Sequence, residues 1–130
     1  MLRKTLLVLT AIVLTYALDA FAGYVLYAYS EGRSEASLSL VARFVVNPMI
    51  VILIGAFVGR FSRNSPIPVA ILSLLPWAAV ILSSPRKPTS MSGYLYWASM
   101  ILIHLSLGAA VALLVWRHGR RRSPEPERLA

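Results

Sequence analysis

The sequence predicts an all-α membrane protein, a bundle of four antiparallel transmembrane helices joined by short loops, and three observations predict it. Of its 130 residues 58% are hydrophobic and only 14% charged, against about 45–50% and about 25% in an ordinary soluble domain. The apolar residues fall into four stretches of helix length, at residues 5–29, 40–61, 66–84 and 91–116, each near the roughly 20 residues that cross a 30 Å hydrocarbon core. Lys and Arg collect at the ends of these stretches instead of forming a stripe with interleaved aromatics, so the net charge of +8 signals membrane topology and no nucleic-acid partner. The chain has no cysteine, which excludes disulfides and thiolate chemistry.

The first stretch follows Arg3 and Lys4 and carries one charge, Asp19. Ala20-Phe21-Ala22 before Gly23 also fits the cleavage site of a secretory signal peptide. Hydrophobicity continues through Tyr24, Tyr27 and Tyr29, which favours an uncleaved helix with tyrosines at one membrane interface. Residues 30–39 are polar and predict a loop. The second stretch places Arg43 one turn inside its start and then Asn47-Pro48, where the proline removes a backbone donor and predicts a kink. Gly55 and Gly59 follow at the spacing that lets two helices approach closely, and packing within the chain is expected over a dimer surface.

Ser65-Pro66 predicts the start of the third helix, with Ser as N-cap and Pro at the first helical position. Pro76 at its centre predicts a bend, and the neighbouring Trp77 is expected to pack in the bundle or line a cavity. Pro85-Arg86-Lys87-Pro88 predicts a turn. In the fourth stretch Tyr94, Tyr96 and Trp97 mark one interface and Trp116 the other. His104 is its only ionisable side chain apart from the tyrosines, and Gly108 lies one turn on, on the same face. Residues 117–130 are basic and then proline-rich, and predict a disordered tail whose arginines lie against anionic headgroups.

With four spans, Arg3, Lys4, Arg60, Arg63, Arg117, Arg120, Arg121, Arg122 and Arg128 fall on one side and Arg33, Arg43, Arg86 and Lys87 on the other. The positive-inside rule then places both termini in the cytoplasm.

No phosphate-binding glycine loop, metalloprotease helix motif or serine-nucleophile elbow occurs. The expectation is a protein that is not an enzyme and holds neither cofactor nor metal. The chemistry that stands out is Asp19, because a carboxylate inside an apolar helix costs a few kcal/mol and is ordinarily paired or used. Counted at about 1.5 Å per residue from the basic helix ends, Asp19 lies roughly 22 Å above Lys4, Arg43 about 25 Å above Arg60, Asn47 about 20 Å above Arg60, and His104 about 20 Å above Arg117. A cluster of Asp19 with Arg43 or Asn47, and with His104 as third member, is therefore expected. Its two uses are a polar clamp between helices and a proton relay.

Two functions from different classes fit this pattern. One is an accessory or assembly subunit that packs against a larger membrane partner or another copy of itself. The other is a small oligomeric transporter or channel, coupled to a proton or ion through Asp19 and His104. Small multidrug transporters are comparable in helix number and in a single carboxylate on the first helix, but the residues around Asp19 form no motif that ties the chain to them.

Overall fold

The computed structural model describes residues 1–31, 40–83 and 88–122. Among them every regular element is helical: α1 (Leu2–Tyr29), α2 (Ala42–Phe61), α3 (Ile67–Leu82) and α4 (Met91–Arg122). α1, α2 and α4 are apolar and long enough to span a membrane. α3 has 16 residues, about 24 Å of helix, and falls short of the same measure. The expected loop of residues 30–39 lies outside the described residues beyond Glu31, as does the expected Pro85-Arg86-Lys87 turn.

Each boundary has a local cause. α1 begins at once because nothing in residues 2–5 breaks a helix, and Thr5 Oγ1 donates back to Met1 O. It continues without interruption through Ala20-Phe21-Ala22 to Tyr29. Helix already present at Leu40 and Val41 leads into a π-helical turn, Ala42–Val46, in which the Asn47 N–H reaches Ala42 O instead of the carbonyl four residues back. Pro48 explains it: it has no N–H for Phe44 O, and its ring presses on that carbonyl in a regular helix, so the backbone widens. α3 starts one residue later than expected. Pro66 stands before the first turn, buried, and its carbonyl accepts from the Ala70 N–H. Pro76 lies inside α3 and withholds a donor from Leu72 O.

α4 runs to Arg122, past the Trp116 end expected from the sequence, so the first part of the expected disordered tail is helical. Arginine is a good helix former, and three arginines in the last turn complement the negative end of the helix dipole. Residues 123–130 lie outside the described residues.

The helices form a rhombus. α2 and α3 occupy the short diagonal and touch each other; α1 packs on α3 and α2, and α4 packs on α2 and α3, while α1 and α4 are not packed neighbours. The core sits on the diagonal, with Ile50, Val51, Ile54 and Val58 of α2 against Val69, Ala70 and Leu74 of α3, closed by Ala11 of α1 and Ala112 of α4. The α2 residues recur at the three-and-four spacing of one helix face. Buried hydroxyls are satisfied within their own helices: Thr15 Oγ1 donates to Ala11 O at 2.7 Å and Ser73 Oγ to Val69 O at 2.7 Å, the usual arrangement in apolar helices.

The closest contact is between α2 and α4. A Cβ added at Gly55 would lie 2.5 Å from Gly108 O, and one at Gly59 would overlap the Ala112 carbonyl. A Cβ at Gly108 would meet Leu74 Cδ1 at 2.5 Å. Gly55, Gly59, Gly108 and Ala112 thus form a backbone-to-backbone seam inside the chain, which is how small residues hold helices together in lipid, where no hydrophobic drive acts between them.

Candidate functional site: a cavity beside the π turn

The basic helix ends gather at one end of the molecule. Met1, Arg3 and Lys4 share a surface recess with Ser62, Arg63 and Asn64. Arg60, Arg63, Trp116 and Arg120 line another, where Arg120 Nη2 donates to Arg63 O at 2.8 Å and the guanidinium lies 4.3 Å over the Trp116 ring.

Toward the opposite end the π turn shapes the site. In an unbroken helix Arg43, Asn47, Ile50 and Ile54 fall on one stripe, and Arg43 points at the core. The wide turn shifts the register before it by about one residue, roughly 100° of rotation. Arg43 is accordingly exposed, while Ile50 and Ile54 are buried. The turn also frees a carbonyl. The donor four residues beyond Arg43 is the Asn47 N–H, which goes to Ala42 O, and the residue five beyond is Pro48, which has no N–H.

Two adjoining cavities open here between α2 and α4. One, about 200 Å³, is lined by Arg43, Asn47, Trp77, Tyr96, Trp97, Met100 and Ile101. The other, about 290 Å³, is bounded by Arg43, Phe44, Pro48, Ile103, His104 and Leu107, and shares Tyr96 and Met100 with the first. Trp77 therefore both packs and lines a cavity: it is 7% exposed, and its ring centroid lies 5.3 Å from that of His104.

His104 is 6% exposed, and its Nδ1 lies 2.7 Å from Met100 O. A carbonyl only accepts, so Nδ1 carries the hydrogen, and in the neutral ring Nε2 is left as an acceptor. That Nε2 is buried without a hydrogen-bond partner among the described residues.

The structure brings Arg43 and Asn47 together around one cavity and Arg43 and His104 around the other. It does not bring Asp19 to them. Asp19 is exposed on α1, lines neither cavity, and has no hydrogen bond or ion pair among the described residues. The expected contact of Asp19 with Arg43, Asn47 or His104 is thus absent within one chain, and the helix arrangement gives the reason. α1 and α4 stand at opposite corners of the rhombus, and α1 faces α2 on another side, where Leu18, Ala22 and Val25 line an apolar groove with Val46, Met49, Ile50 and Leu53. Equal depth put the four residues at one level. Depth does not tell which helices are neighbours.

Tyr96, Met100 and Ile103 were not singled out as cavity residues from the sequence, although their three-and-four spacing with His104 marks one face of α4. Ala112 was missed as the partner of Gly59; its signal was the spacing of Gly108 and Ala112, which matches that of Gly55 and Gly59. Among the described residues no group of three or more His, Asp or Glu side chains is placed to hold a metal ion. Compared with protein-family models, curated proteins and solved structures, the chain matches none.

Proposed function

We propose that the chain is a four-span membrane protein with both termini in the cytoplasm, acting without catalysis as an accessory or assembly subunit whose α1 packs against a larger membrane partner. The observation that carries this reading is Asp19: exposed near the middle of α1, with no partner among the described residues. A carboxylate facing hydrocarbon costs up to about 2.5–3.5 kcal/mol on insertion scales, the value at the helix centre. A partner helix presenting Lys, Arg or a polar side chain at the same level offsets that cost.

Four spans are favoured over three because α3, though short, is an apolar helix without a charge at Ile67–Val80 and lies on the central diagonal. A short helix crosses by local thinning of the bilayer at modest cost. Orientation is supported by the gathering of Arg3, Lys4, Arg63 and Arg120 at one end.

The experiment compares Asp19→Asn and Asp19→Leu in the native membrane and in purified protein. Asp19→Leu is expected to leave the purified chain folded while abolishing its association with the partner. An Asp19→Leu chain that unfolds in detergent, or that keeps its partner, would overturn the proposal.

A small oligomeric transporter or channel is the second reading, favoured by the cavity that carries Arg43, Asn47 and Trp77. Asp19 and His104 lie on helices that do not pack together, so a proton passing directly between them needs a second copy to bring them within reach. A reconstituted proton or ion flux unchanged by Asp19→Asn would reject that relay.

A further inference from the structure

The two cavities beside the π turn adjoin and differ in character. The smaller presents a guanidinium and an amide, Arg43 and Asn47, among the rings of Trp77, Tyr96 and Trp97. The larger is walled mainly by Phe44, Pro48, Ile103 and Leu107. Arg43, Tyr96 and Met100 belong to both, so a polar compartment opens onto an apolar one at the arginine.

The geometry points to a binding site for one phospholipid, its phosphate on Arg43, its ester region at Asn47 and one acyl chain laid between α2 and α4. Three observations select this occupant. Arg43 has no carboxylate or carbonyl partner among the described residues, and a guanidinium offers the paired donors that a phosphate accepts from two at once. Its backbone lies about 25 Å from the basic end of α2, a few ångströms inside the far boundary of a roughly 30 Å core, and its long side chain reaches from there toward the interface that Tyr94, Tyr96 and Trp97 mark. The third is the apolar compartment next to it, which a free anion leaves empty and an acyl chain fills.

The chemistry of each group fits its place. Asn47, one turn deeper than Arg43, can donate its amide N–H to an ester carbonyl below the phosphate. The Arg43 carbonyl released by the π turn can accept from a hydroxyl or ammonium of the same headgroup. Tyr96 and Trp97 lie where the glycerol backbone passes, as amphipathic rings do at this level of a bilayer. The leaflet is the one away from the basic helix ends. No residue of α1 lines either cavity, so the site stands whether or not α1 has a partner.

The test uses the full chain purified in a maltoside detergent, stripped of lipid and examined by native mass spectrometry. The probes are phosphatidylglycerol, a diacylglycerol with the same chains, and inorganic phosphate. One phosphatidylglycerol per chain is expected to remain bound, with diacylglycerol and inorganic phosphate each bound much more weakly. Arg43→Gln should weaken phosphatidylglycerol binding roughly tenfold or more, the worth of a hydrogen bond to a charged group. Ile103→Trp, which fills the apolar compartment, should weaken it while leaving Arg43 in place. Unchanged binding in Arg43→Gln overturns the site, as does diacylglycerol bound as well as phosphatidylglycerol. Inorganic phosphate that displaces the lipid completely and is itself insensitive to Ile103→Trp shows a free-anion site and overturns the lipid assignment. If Arg43→Gln does not fold by circular dichroism, Asn47→Leu and Ile103→Trp carry the same comparison.

Discussion

Replacing Gly59 by alanine tests the α2–α4 seam at its tightest point. The added Cβ would overlap the backbone carbonyl of Ala112, and the equivalent atom at Gly55 would lie 2.5 Å from Gly108 O. Neither obstacle is the far end of a flexible side chain, so the helices themselves must part. Ordinary contact between such atoms is about 3.5–4.0 Å, and a gap of about 1 Å along the seam forfeits a quarter to a half of each dispersion contact it opens. Overpacking of this kind costs roughly 1–3 kcal/mol. Better helix propensity of alanine returns at most about 1 kcal/mol. A net loss of about 1–2 kcal/mol is expected for Gly59→Ala, read as an earlier midpoint in denaturing-detergent titration of the purified protein. Gly55→Ala should cost a similar amount, and the double variant less than both together, because the second methyl enters a seam already opened. Gly23 is the control. A Cβ there meets nothing within 4 Å, so Gly23→Ala should be neutral or stabilising. Gly59→Ala as stable as wild type, with Gly23→Ala unchanged, would refute the close approach of α2 and α4.

Leu74→Ala should destabilise by about 2–5 kcal/mol in the same titration, because Leu74 is fully buried and its Cδ1 packs over Gly108; a loss under 1 kcal/mol would place Leu74 outside the core. Pro48→Ala restores the missing N–H and allows the π turn to close into regular helix. The titration midpoint and retention of phosphatidylglycerol should both fall, since Arg43 turns from the cavity onto the buried stripe of Ile50 and Ile54, where an unpaired charge is costly; unchanged retention would separate the turn from the site. Reporter fusions after Arg63 and at the C-terminus should both report cytoplasm and a fusion near Ser34 should not, and a C-terminus outside would invert the orientation.

The helices were legible because composition and proline placement act locally. Residues 5–29 and 91–116 are predominantly apolar, with Asp19 and His104 their exceptions, and Pro66 and Pro88 border the helices that follow them whatever surrounds them. The continuation of α4 to Arg122 was less visible, since a run of arginines looks like a solvated tail until helix propensity and the dipole are weighed together. Gly55 and Gly59 showed that a close approach existed, and the matching spacing of Gly108 and Ala112 identified its other half only once the helices were packed.

The polar cluster was half legible. Arg43, Asn47 and His104 meet around adjoining cavities because α2 and α4 share the seam below them. Asp19 does not, because helical period tells which face a residue occupies and not which helix lies opposite. Pro48 announced a kink, but its consequence, a wide turn that lifts Arg43 off the core stripe, depends on where Asn47 sends its N–H. With Arg43 exposed and unpaired by Asp19, Asp19→Leu strands no buried cation, so the purified chain should tolerate it.

The most direct test of α1 as a partner-binding surface is photocrosslinking in native membranes, with a photoreactive residue placed at Tyr16 or Gly23, one turn to either side of Asp19, and at Leu114 on α4 as a control. Tyr16, Gly23 and Leu114 are all exposed, so lipid alone would treat them alike. A discrete protein adduct from Tyr16 and Gly23, absent from Leu114 and lost when Asp19→Leu is added, is the expected result. Adducts to lipid only, or identical adducts from all three positions, would contradict a partner on the Asp19 face.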